Sequence, residues 1–237
     1  ILTNIVEEFS QTPPKLFFLE KPVVVDPDNS QRLLKAINKI PTAVNYHRCW
    51  DPSHIHFFKH ALESEQVISI RIIYAKGMFN YASHMIALLI QYFGAVANVS
   101  GILTKTYNAS NLDPPMSFII EFDHGIQAVF QGFDNITYDL LELEIMTTTG
   151  LFYLKSAGCR RRQELPKNDA FYPNYSQLID VPYPEQDGPV EGLTQAVENI
   201  VNYLDGTDDE LSCDLILSLG VLDVMWRAKE YFNKEKR

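Results

Sequence analysis

One candidate for chemistry is Lys21, which stands in the stretch KLFFLEKPVVV, where an apolar run meets two opposite charges and a proline. The run Lys15–Leu19 predicts a buried strand, and Pro22 fixes its own φ and turns the chain after that strand. Ligands of open α/β sheets bind beyond the carboxyl ends of the strands, so Lys21 could polarise a carbonyl or stabilise an alkoxide there. The alternative is a surface loop with an exposed Glu20–Lys21 ion pair.

A second candidate is His84, in the stretch GMFNYASHMIALL. Asn80 lies four residues before it, so the two side chains share one face of any helix that begins by Asn80. Because histidine titrates near neutral pH, it suits acid–base work on a hydroxyl group. Asn80 could instead cap the helix, and a hydrogen-bonded core histidine is the alternative for His84.

A third candidate group is Tyr46, His47 and Arg48, which follow the strand-like run TAVN. A tyrosine and an arginine at a strand end could bind a hydroxyl or phosphate group of a substrate. The alternative is that Arg48 pairs with Glu20 or Asp51 and only holds two parts of the fold together.

The histidines of the stretch HIHFFKH are weaker candidates for a metal site. His56 and His60 are four residues apart and could both ligate one ion. No further ligand stands at a useful spacing, so the sequence predicts the surface of a helix and no metal.

Charge and cysteine usage limit the partners and the location. The net charge is −10, and the only basic cluster is Arg160–Arg162, so nucleic-acid binding is not expected. No apolar run reaches the roughly 18 residues that span a bilayer, so no membrane partner is expected either. Cys49, Cys159 and Cys213 are scattered, without a C-x-x-C motif, which favours reduced thiols in a cytoplasmic protein.

Two regions must position these residues. Residues 1–50 show the order helix, strand, helix, strand, which is typical of the end of a doubly wound α/β unit. Residues 51–237 begin with helices, continue with several consecutive strands between about residues 95 and 164, and close with two helices, which we expect to pack back on the first region. The fold class expected is therefore α/β plus α+β: the remnant of a Rossmann-type parallel sheet, then a large, mainly antiparallel sheet backed by helices.

In VISIRIIY, alternation places Ile68, Ile70, Ile72 and Tyr74 on one strand face.

Four segments resemble the glucose–fructose oxidoreductase and inositol dehydrogenase family (Gfo/Idh/MocA), in the family's order and over most of the chain. FLEKPVVVDPDNSQRLLKAI resembles its E-K-P segment, and NYHRCWDP resembles the strand and helix that follow. YAKGMFNYASHMIALLIQYFG resembles the segment G-x-x-x-[DN]-x-x-x-H. The closing residues 191–228 resemble the family's C-terminal helices.

The resemblance implies an NAD- or NADP-dependent oxidoreductase that transfers hydride to or from a hydroxyl of a sugar or nucleotide sugar, as in surface-polysaccharide biosynthesis. By motif position, Lys21 and His84 would be catalytic, and Glu20, Lys21 and Pro22 would contact the cofactor. Tyr46, Arg48, Tyr74 and Asn80 would line the substrate pocket. Ala87 stands where the family often has aspartate, so substrate contacts at that position are not carried over.

The resemblance also indicates that part of a cofactor site is absent. The sequence starts within a helical pattern at Ile1 and contains no G-x-G-x-x-G turn, which holds the pyrophosphate in Rossmann folds. We therefore expect a chain that lacks the N-terminal part of its Rossmann domain and, by itself, neither holds the cofactor tightly nor turns over. The alternative is a non-catalytic module for sugar binding or oligomerisation. In either case we expect a homo-oligomer formed through the C-terminal sheet.

Overall fold

The structure, a computed structural model, describes residues 2–9, 12–24, 27–37, 39–63, 66–102, 113–134 and 136–235 of the 237-residue chain. Within these ranges the chain forms a two-stranded parallel sheet and an eight-stranded sheet, each packed against helices. No helix of the described ranges is long and apolar enough to cross a membrane.

The small sheet belongs to the first α/β part of the chain. Its elements are α1 (Leu2–Phe9), β1 (Phe17–Leu19), α2 (Pro27–Ile37) and β2 (Thr42–Val44). Strands β1 and β2 are parallel, with Phe17 opposite Thr42 and Leu19 opposite Val44. A short 3₁₀ helix, His47–Cys49, follows β2. The small parallel sheet expected from the sequence is therefore confirmed.

The large sheet has the strand order β10-β9-β8-β7-β3-β6-β5-β4. Only the pair β3–β6 is parallel, and the other six pairs are antiparallel, so the expected mainly antiparallel sheet is confirmed. Its strands are β3 (Val67–Tyr74), β4 (Val96–Gly101), β5 (Phe118–Phe122), β6 (Gln127–Gly132), β7 (Leu141–Thr147), β8 (Gly150–Lys155), β9 (Arg160–Asn168) and β10 (Ser176–Val181).

Four helices accompany the large sheet, namely α3 (Pro52–Glu63), α4 (Ser83–Phe93), α5 (Gly192–Leu204) and α6 (Leu215–Glu235). Helix α4 is apolar on most sides and packs against α6, which also packs along β4. The chain just before α6 returns to the small sheet, where the Val44 amide donates to the Cys213 carbonyl at 2.8 Å. The closing helices thus contact both parts of the fold.

One detail of the expected strand pattern is wrong. Ile70, Ile72 and Tyr74 are buried as predicted, but Ile68 is 54% exposed. The pairing of β3 with β7 shifts between Val67 and Ser69, and this irregularity turns Ile68 to the other face. A simple alternation rule could not find this shift, because it depends on the partner strand.

The start of α5 lies so close to the turn after β2 that only glycine fits at its first position. A Cβ on Gly192 would overlap the carbonyl oxygen of His47 and lie 3.1 Å from the Asp51 amide nitrogen. This close approach fixes α5 against the end of the small sheet.

Gly192→Ala is expected to lower the free energy of unfolding by about 1–3 kcal/mol, since the added methyl group forces the two segments apart. Urea unfolding followed by circular dichroism measures the change. Gly188→Ala is the matched control, because a Cβ there has no neighbour within 4 Å. Equal stability of the two variants would contradict the close approach.

Candidate functional site

The candidate site begins where the two parallel strands end. The Asn45 amide donates to the Leu19 carbonyl at 2.8 Å, and the Asn45 side chain donates to Glu20 Oε1 at 2.7 Å. Glu20 therefore ties the two strand ends together. Its neighbour Lys21 precedes a cis peptide bond to Pro22 and turns to a different partner.

Lys21 reaches across to the turn before α4. Its Nζ donates to the Asn80 carbonyl oxygen at 2.7 Å and lies 3.4 Å from Asn80 Oδ1. Burial lowers the pKa of Lys21, and Arg48 lowers it further, whereas the carboxylates of Asp113 and Glu20 oppose the shift. The sequence alternative of an exposed Glu20–Lys21 pair is thus not what the structure shows.

The backbone around Asn80 is held by Asp113. Residues Met78–Ala82 form a π-helical turn before α4, rather than a first α-helical turn. Asp113 accepts hydrogen bonds from the amides of Phe79 at 2.8 Å and Asn80 at 2.9 Å. Because of this turn, Asn80 presents its main-chain carbonyl to Lys21, in addition to the side chain that the sequence emphasised.

Asp113 is a functional candidate that the sequence does not reveal, because its local stretch NLDPP has the composition of an ordinary turn. Its carboxylate lies against Gly77, whose φ of +93° suits glycine and whose missing Cβ leaves room for Asp113. Burial raises the pKa of Asp113, while the amides of Phe79, Asn80 and Met78 oppose this.

His84 lies on the first turn of α4, almost fully buried between two aromatic neighbours. The His47 ring centroid is 4.7 Å away at an interplanar angle of 64°, and the Tyr46 ring is 6.1 Å away at 88°. Nδ1 of His84 is buried and has no hydrogen-bond partner among the described residues. Because 6% of the residue remains exposed, Nε2 is the ring nitrogen left to a ligand.

Both rings are neutral at pH 7. Burial holds the pKa of His84 well below its ordinary value of 6.5, and Lys21 and Arg48 add to this effect. Burial, Arg48 and His54 lower the pKa of His47 to about 4. The site therefore offers a neutral imidazole near an ammonium group, and this pairing is suited to proton removal from a hydroxyl.

Arg48 links two parts of the fold, as one of the two sequence alternatives predicts, although its direct hydrogen-bond partners are neither Glu20 nor Asp51. It is 9% exposed, and its Nη1 donates to the Ala157 carbonyl of the large sheet and lies 3.4 Å from His54 Nε2. His54 Nδ1 in turn lies 2.7 Å from Asp51 Oδ1. Arg48 thus reaches Asp51 only through His54. It links the 3₁₀ helix after β2 to α3 and to the turn after β8.

Asp51 completes this buried chain of polar groups. Its Oδ1 accepts from the Ser53 hydroxyl at 2.5 Å and from the His54 amide at 3.0 Å, which caps α3. Its Oδ2 accepts from the Glu191 amide at 2.7 Å, just before α5. These hydrogen bonds, with the His54 ring, hold the pKa of Asp51 well below its usual range, against the effect of burial.

The structure places the two predicted substrate tyrosines in the core. Tyr74 is fully buried, its hydroxyl donates to the Met116 carbonyl at 2.5 Å, and its ring meets Phe130 at 6.4 Å. It therefore offers no exposed surface to a substrate, because its phenol holds neighbouring chain segments together. Tyr46 is fully buried as well, and its place in the site is the edge contact with His84.

The histidines of α3 do not assemble a metal centre. The rings of His56 and His60 stack at 6.2 Å, but His56 Nδ1 lies 3.2 Å from Glu185 and His60 Nε2 lies 2.9 Å from Gln163. Across the described ranges, no group of three or more His, Cys, Asp or Glu side chains is arranged to hold a metal ion.

The basic stretch Arg160–Arg162 lies in β9, and two of its three side chains have partners within the chain. Arg162 makes two contacts of 3.0 Å with the Asp187 carboxylate, and Arg161 is buried beside Glu185 and Gln186. These side chains therefore present little free positive charge to a polyanion.

A groove of about 580 Å³ lies at the opposite end of the small sheet, beside Thr42 at the start of β2. Its lining includes the carboxylates of Asp209, Glu210 and Asp214, which repel phosphate groups. Because ligands of open α/β sheets bind at the carboxyl ends of the strands, this groove is a poorer candidate than the Lys21 site.

Comparisons by sequence and by structure give different results. No protein-family model and no curated protein matches the sequence. By structure, an NADPH-dependent oxidoreductase, so assigned provisionally, from Desulfitobacterium hafniense has a TM-score of 0.80 at 16% identity, covering 100% of this chain and 75% of its own.

Two further solved structures carry chemical information in their names. The UDP-N-acetylglucosamine 3-dehydrogenase GnnA from Acidithiobacillus ferrooxidans has a TM-score of 0.72 at 11% identity, covering 97% of this chain and 74% of its own. An oxidoreductase from Agrobacterium radiobacter, in complex with NAD⁺, L-tartaric acid and magnesium, has a TM-score of 0.68 at 13% identity, covering 97% and 74%. What these proteins share with the chain is the fold, which agrees with the family resemblance.

The lowered pKa of His47 predicts a loss of stability in acid. The ring titrates at about 4 in the folded chain and near 6.5 when unfolded, so below 6.5 the unfolded state binds more protons. The free energy of unfolding should therefore decrease as the pH falls from about 6.5 to about 4. Urea unfolding across that pH range measures the effect.

His47→Gln should reduce this pH dependence. His56→Gln should leave it unchanged, since the His56 side chain is 46% exposed on α3. An unchanged acid profile in the His47 variant would contradict the buried position of this ring.

Proposed function

We propose that the chain is the substrate-side part of an NAD- or NADP-dependent oxidoreductase that transfers hydride between the nicotinamide and a hydroxyl of a sugar or nucleotide sugar. The observation that carries this proposal is that Lys21, from the end of a parallel strand, is hydrogen-bonded to the turn at Asn80 and lowers the pKa of the neutral His84 ring. An ammonium and a neutral imidazole, both partly withdrawn from water, are suited to alcohol oxidation and carbonyl reduction.

His84 takes or returns the hydroxyl proton. Since the ring is neutral at pH 7, Nε2 can accept a proton from a bound C–OH group. The positive charges of Lys21 and Arg48 oppose a lasting imidazolium, so the proton is not held there. The edge contacts with His47 and Tyr46 limit the rotation of the ring and keep Nε2 in one direction.

Lys21 holds the substrate oxygen on which negative charge develops. Its ammonium keeps the hydrogen bond to the Asn80 carbonyl, which fixes its direction and leaves other N–H groups for the substrate. Asp113 acts indirectly, because it accepts a hydrogen bond from the Asn80 amide and so orients the Asn80 carbonyl that Lys21 contacts.

The residues present fit the reactive end of a nicotinamide dinucleotide. The bound nicotinamide would supply or accept the hydride, and Glu20, Lys21 and Pro22 would lie beside it at the strand end. The unpartnered Nδ1 of His84 shows a buried polar site whose bonding is incomplete within the described residues. The sequence has no glycine-rich turn for the pyrophosphate, so these residues account for only one end of the cofactor.

Two observations support sugars or nucleotide sugars as the substrate class. One is the resemblance of YAKG and NYASH to members of surface-polysaccharide pathways, and the other is the nucleotide-sugar substrate in the name of GnnA. We propose a cytoplasmic location on the free thiols of Cys49, Cys159 and Cys213.

A non-catalytic sugar-binding or oligomerisation module is the alternative function. A module without chemistry has no need to bury an ammonium beside two neutral imidazoles, because each buried polar group costs free energy. The retained cluster of Lys21, His47 and His84 therefore favours the enzyme.

Substitution of Lys21 or His84 tests the catalytic proposal, in a polypeptide that carries a G-x-G-x-x-G half ahead of this chain. Lys21→Met and His84→Asn should each lower kcat by about 10²–10⁴-fold, since each removes one group acting on the reacting oxygen. Steady-state turnover with UDP-sugars measures this. Lys76→Met is the control, because Lys76 is exposed and paired with Asp139. Full turnover in the His84 variant would remove its proton-transfer role.

The chain by itself should bind nicotinamide dinucleotide weakly, because it has no glycine-rich turn to hold the pyrophosphate. Titration of the chain with NADH, followed by the fluorescence of the reduced nicotinamide, should give a dissociation constant of about 1 mM or weaker. Micromolar affinity would show that the described residues hold the dinucleotide in a way that the motif does not predict.

A further inference from the structure

The buried position of His84 leaves open how a proton on its ring reaches water. Oxidation of an alcohol leaves the hydroxyl proton on the base, because only the hydride departs to the nicotinamide. His84 is 6% exposed, and its Nδ1 is enclosed without a hydrogen-bond partner among the described residues. A bound substrate would cover Nε2, the nitrogen left to a ligand. The proton therefore needs a carrier between His84 and bulk water.

Four ionisable side chains lower the pKa of His84 besides the effect of its burial, namely Lys21, Arg48, His47 and His54. The ammonium and the guanidinium groups have no lone pair with which to accept a proton. His54 is fully buried, and its ring nitrogens lie 2.7 Å from Asp51 and 3.4 Å from Arg48. It therefore has no route to solvent.

The phenol of Tyr46 has no route to water either. Its ring contacts that of His84 at a centroid distance of 6.1 Å, but the residue is fully buried. Burial also raises the pKa of its hydroxyl. A proton that left His84 through Tyr46 would therefore still be enclosed in the protein.

His47 differs from these neighbours, because its ring is neutral and only partly buried. Its ring centroid lies 4.7 Å from that of His84, close enough for a proton to pass between ring nitrogens directly or through one water. The backbone of His47 is fixed, since its carbonyl accepts from the Trp50 amide at 3.2 Å and packs against Gly192 at the start of α5. The fold thus holds a second, partly exposed imidazole in contact with His84.

We propose, on the basis of the proposed hydride transfer, that His47 carries the reaction proton between His84 and bulk water. In oxidation, His84 Nε2 takes the hydroxyl proton as the hydride leaves the carbon for the nicotinamide. The resulting imidazolium passes one proton to the neutral His47 ring, which releases it to water, and both rings are neutral again. Carbonyl reduction follows the same steps in reverse, with water as the source of the proton.

The charges around the two rings favour passing the proton on over storing it. The pKa of His47 is lowered to about 4 by burial and by three ionisable neighbours, Arg48, His54 and Lys21. The carboxylate of Asp51 opposes this shift. The pKa of His84 is likewise held well below its ordinary value of 6.5. Because neither ring keeps a proton at pH 7, a proton that arrives on His84 moves on to water.

Solvent exchange of the His84 ring proton tests this path in the chain itself, without cofactor or substrate. At pH 7 the neutral ring carries one N–H proton, and NMR on a sample labelled with ¹⁵N-histidine measures its exchange with water. His47→Phe keeps an aromatic ring against His84 but removes both ring nitrogens, so exchange should slow by about tenfold or more. His56→Phe is the matched control and should leave the rate unchanged, since the His56 side chain is 46% exposed on α3. An unchanged rate in His47→Phe would overturn the relay.

Turnover tests the same path in a polypeptide that carries a G-x-G-x-x-G half ahead of this chain. His47→Ala should lower kcat by about 10–100-fold, and added imidazole should restore much of the loss, because a small base can enter the space and carry the proton. His47→Phe should lose activity equally but respond little to imidazole, since its ring fills that space.

The response to imidazole separates proton transfer from a structural role, which an added base does not replace. Full turnover in His47→Phe, or a loss in His47→Ala that imidazole does not reverse, would overturn the relay. Failure of the proposed function gives a different result: no turnover in the unsubstituted protein, with the slower His84 proton exchange of His47→Phe still present.

Discussion

The hydrogen bond from the Lys21 ammonium to the Asn80 carbonyl is the contact on which the candidate site depends. Burial makes a charged group costly, so its direction must be fixed by good partners. The acceptor belongs to a π-helical turn whose amides are held by Asp113, and Asp113 fits there because Gly77 has no side chain. Lys21, which follows β1 of the small sheet, and the turn Met78–Ala82 thereby fix each other's position. His84 lies on α4, the helix that follows this turn.

Lys21 and His84 could be proposed as candidates from the sequence, by their places at element ends and by the family resemblance. The small parallel sheet and the large antiparallel sheet could be predicted as well, from periodicity and turn residues. Asp113 and the ring contact of His47 with His84 could not, since both are contacts between segments distant in sequence. Local patterns carry no information on such contacts.

Tyr74 and Ile68 show a related limit within a single strand. Alternation identifies two faces, but it does not say which face meets helices, nor where the pairing shifts. The register shift near Val67 turns the Ile68 side chain to the other face of the sheet. The hydroxyl of Tyr74 donates a hydrogen bond to the Met116 carbonyl within the core. Tyr74 is a residue type that often binds substrates, but here its hydroxyl is already hydrogen-bonded within the protein.

The acceptor that Arg48 uses on the large sheet is a main-chain oxygen, that of Ala157. Ser156, Ala157 and Gly158 all have positive φ, and the Gly158 position leaves no room for a Cβ beside His54. The bond is therefore specified by the path of the backbone and not by the side chain of residue 157. Related chains could vary that side chain freely and keep the link, whereas a single insertion or deletion in the turn would break it. The length of this turn is thus a more informative marker of the domain arrangement than its composition.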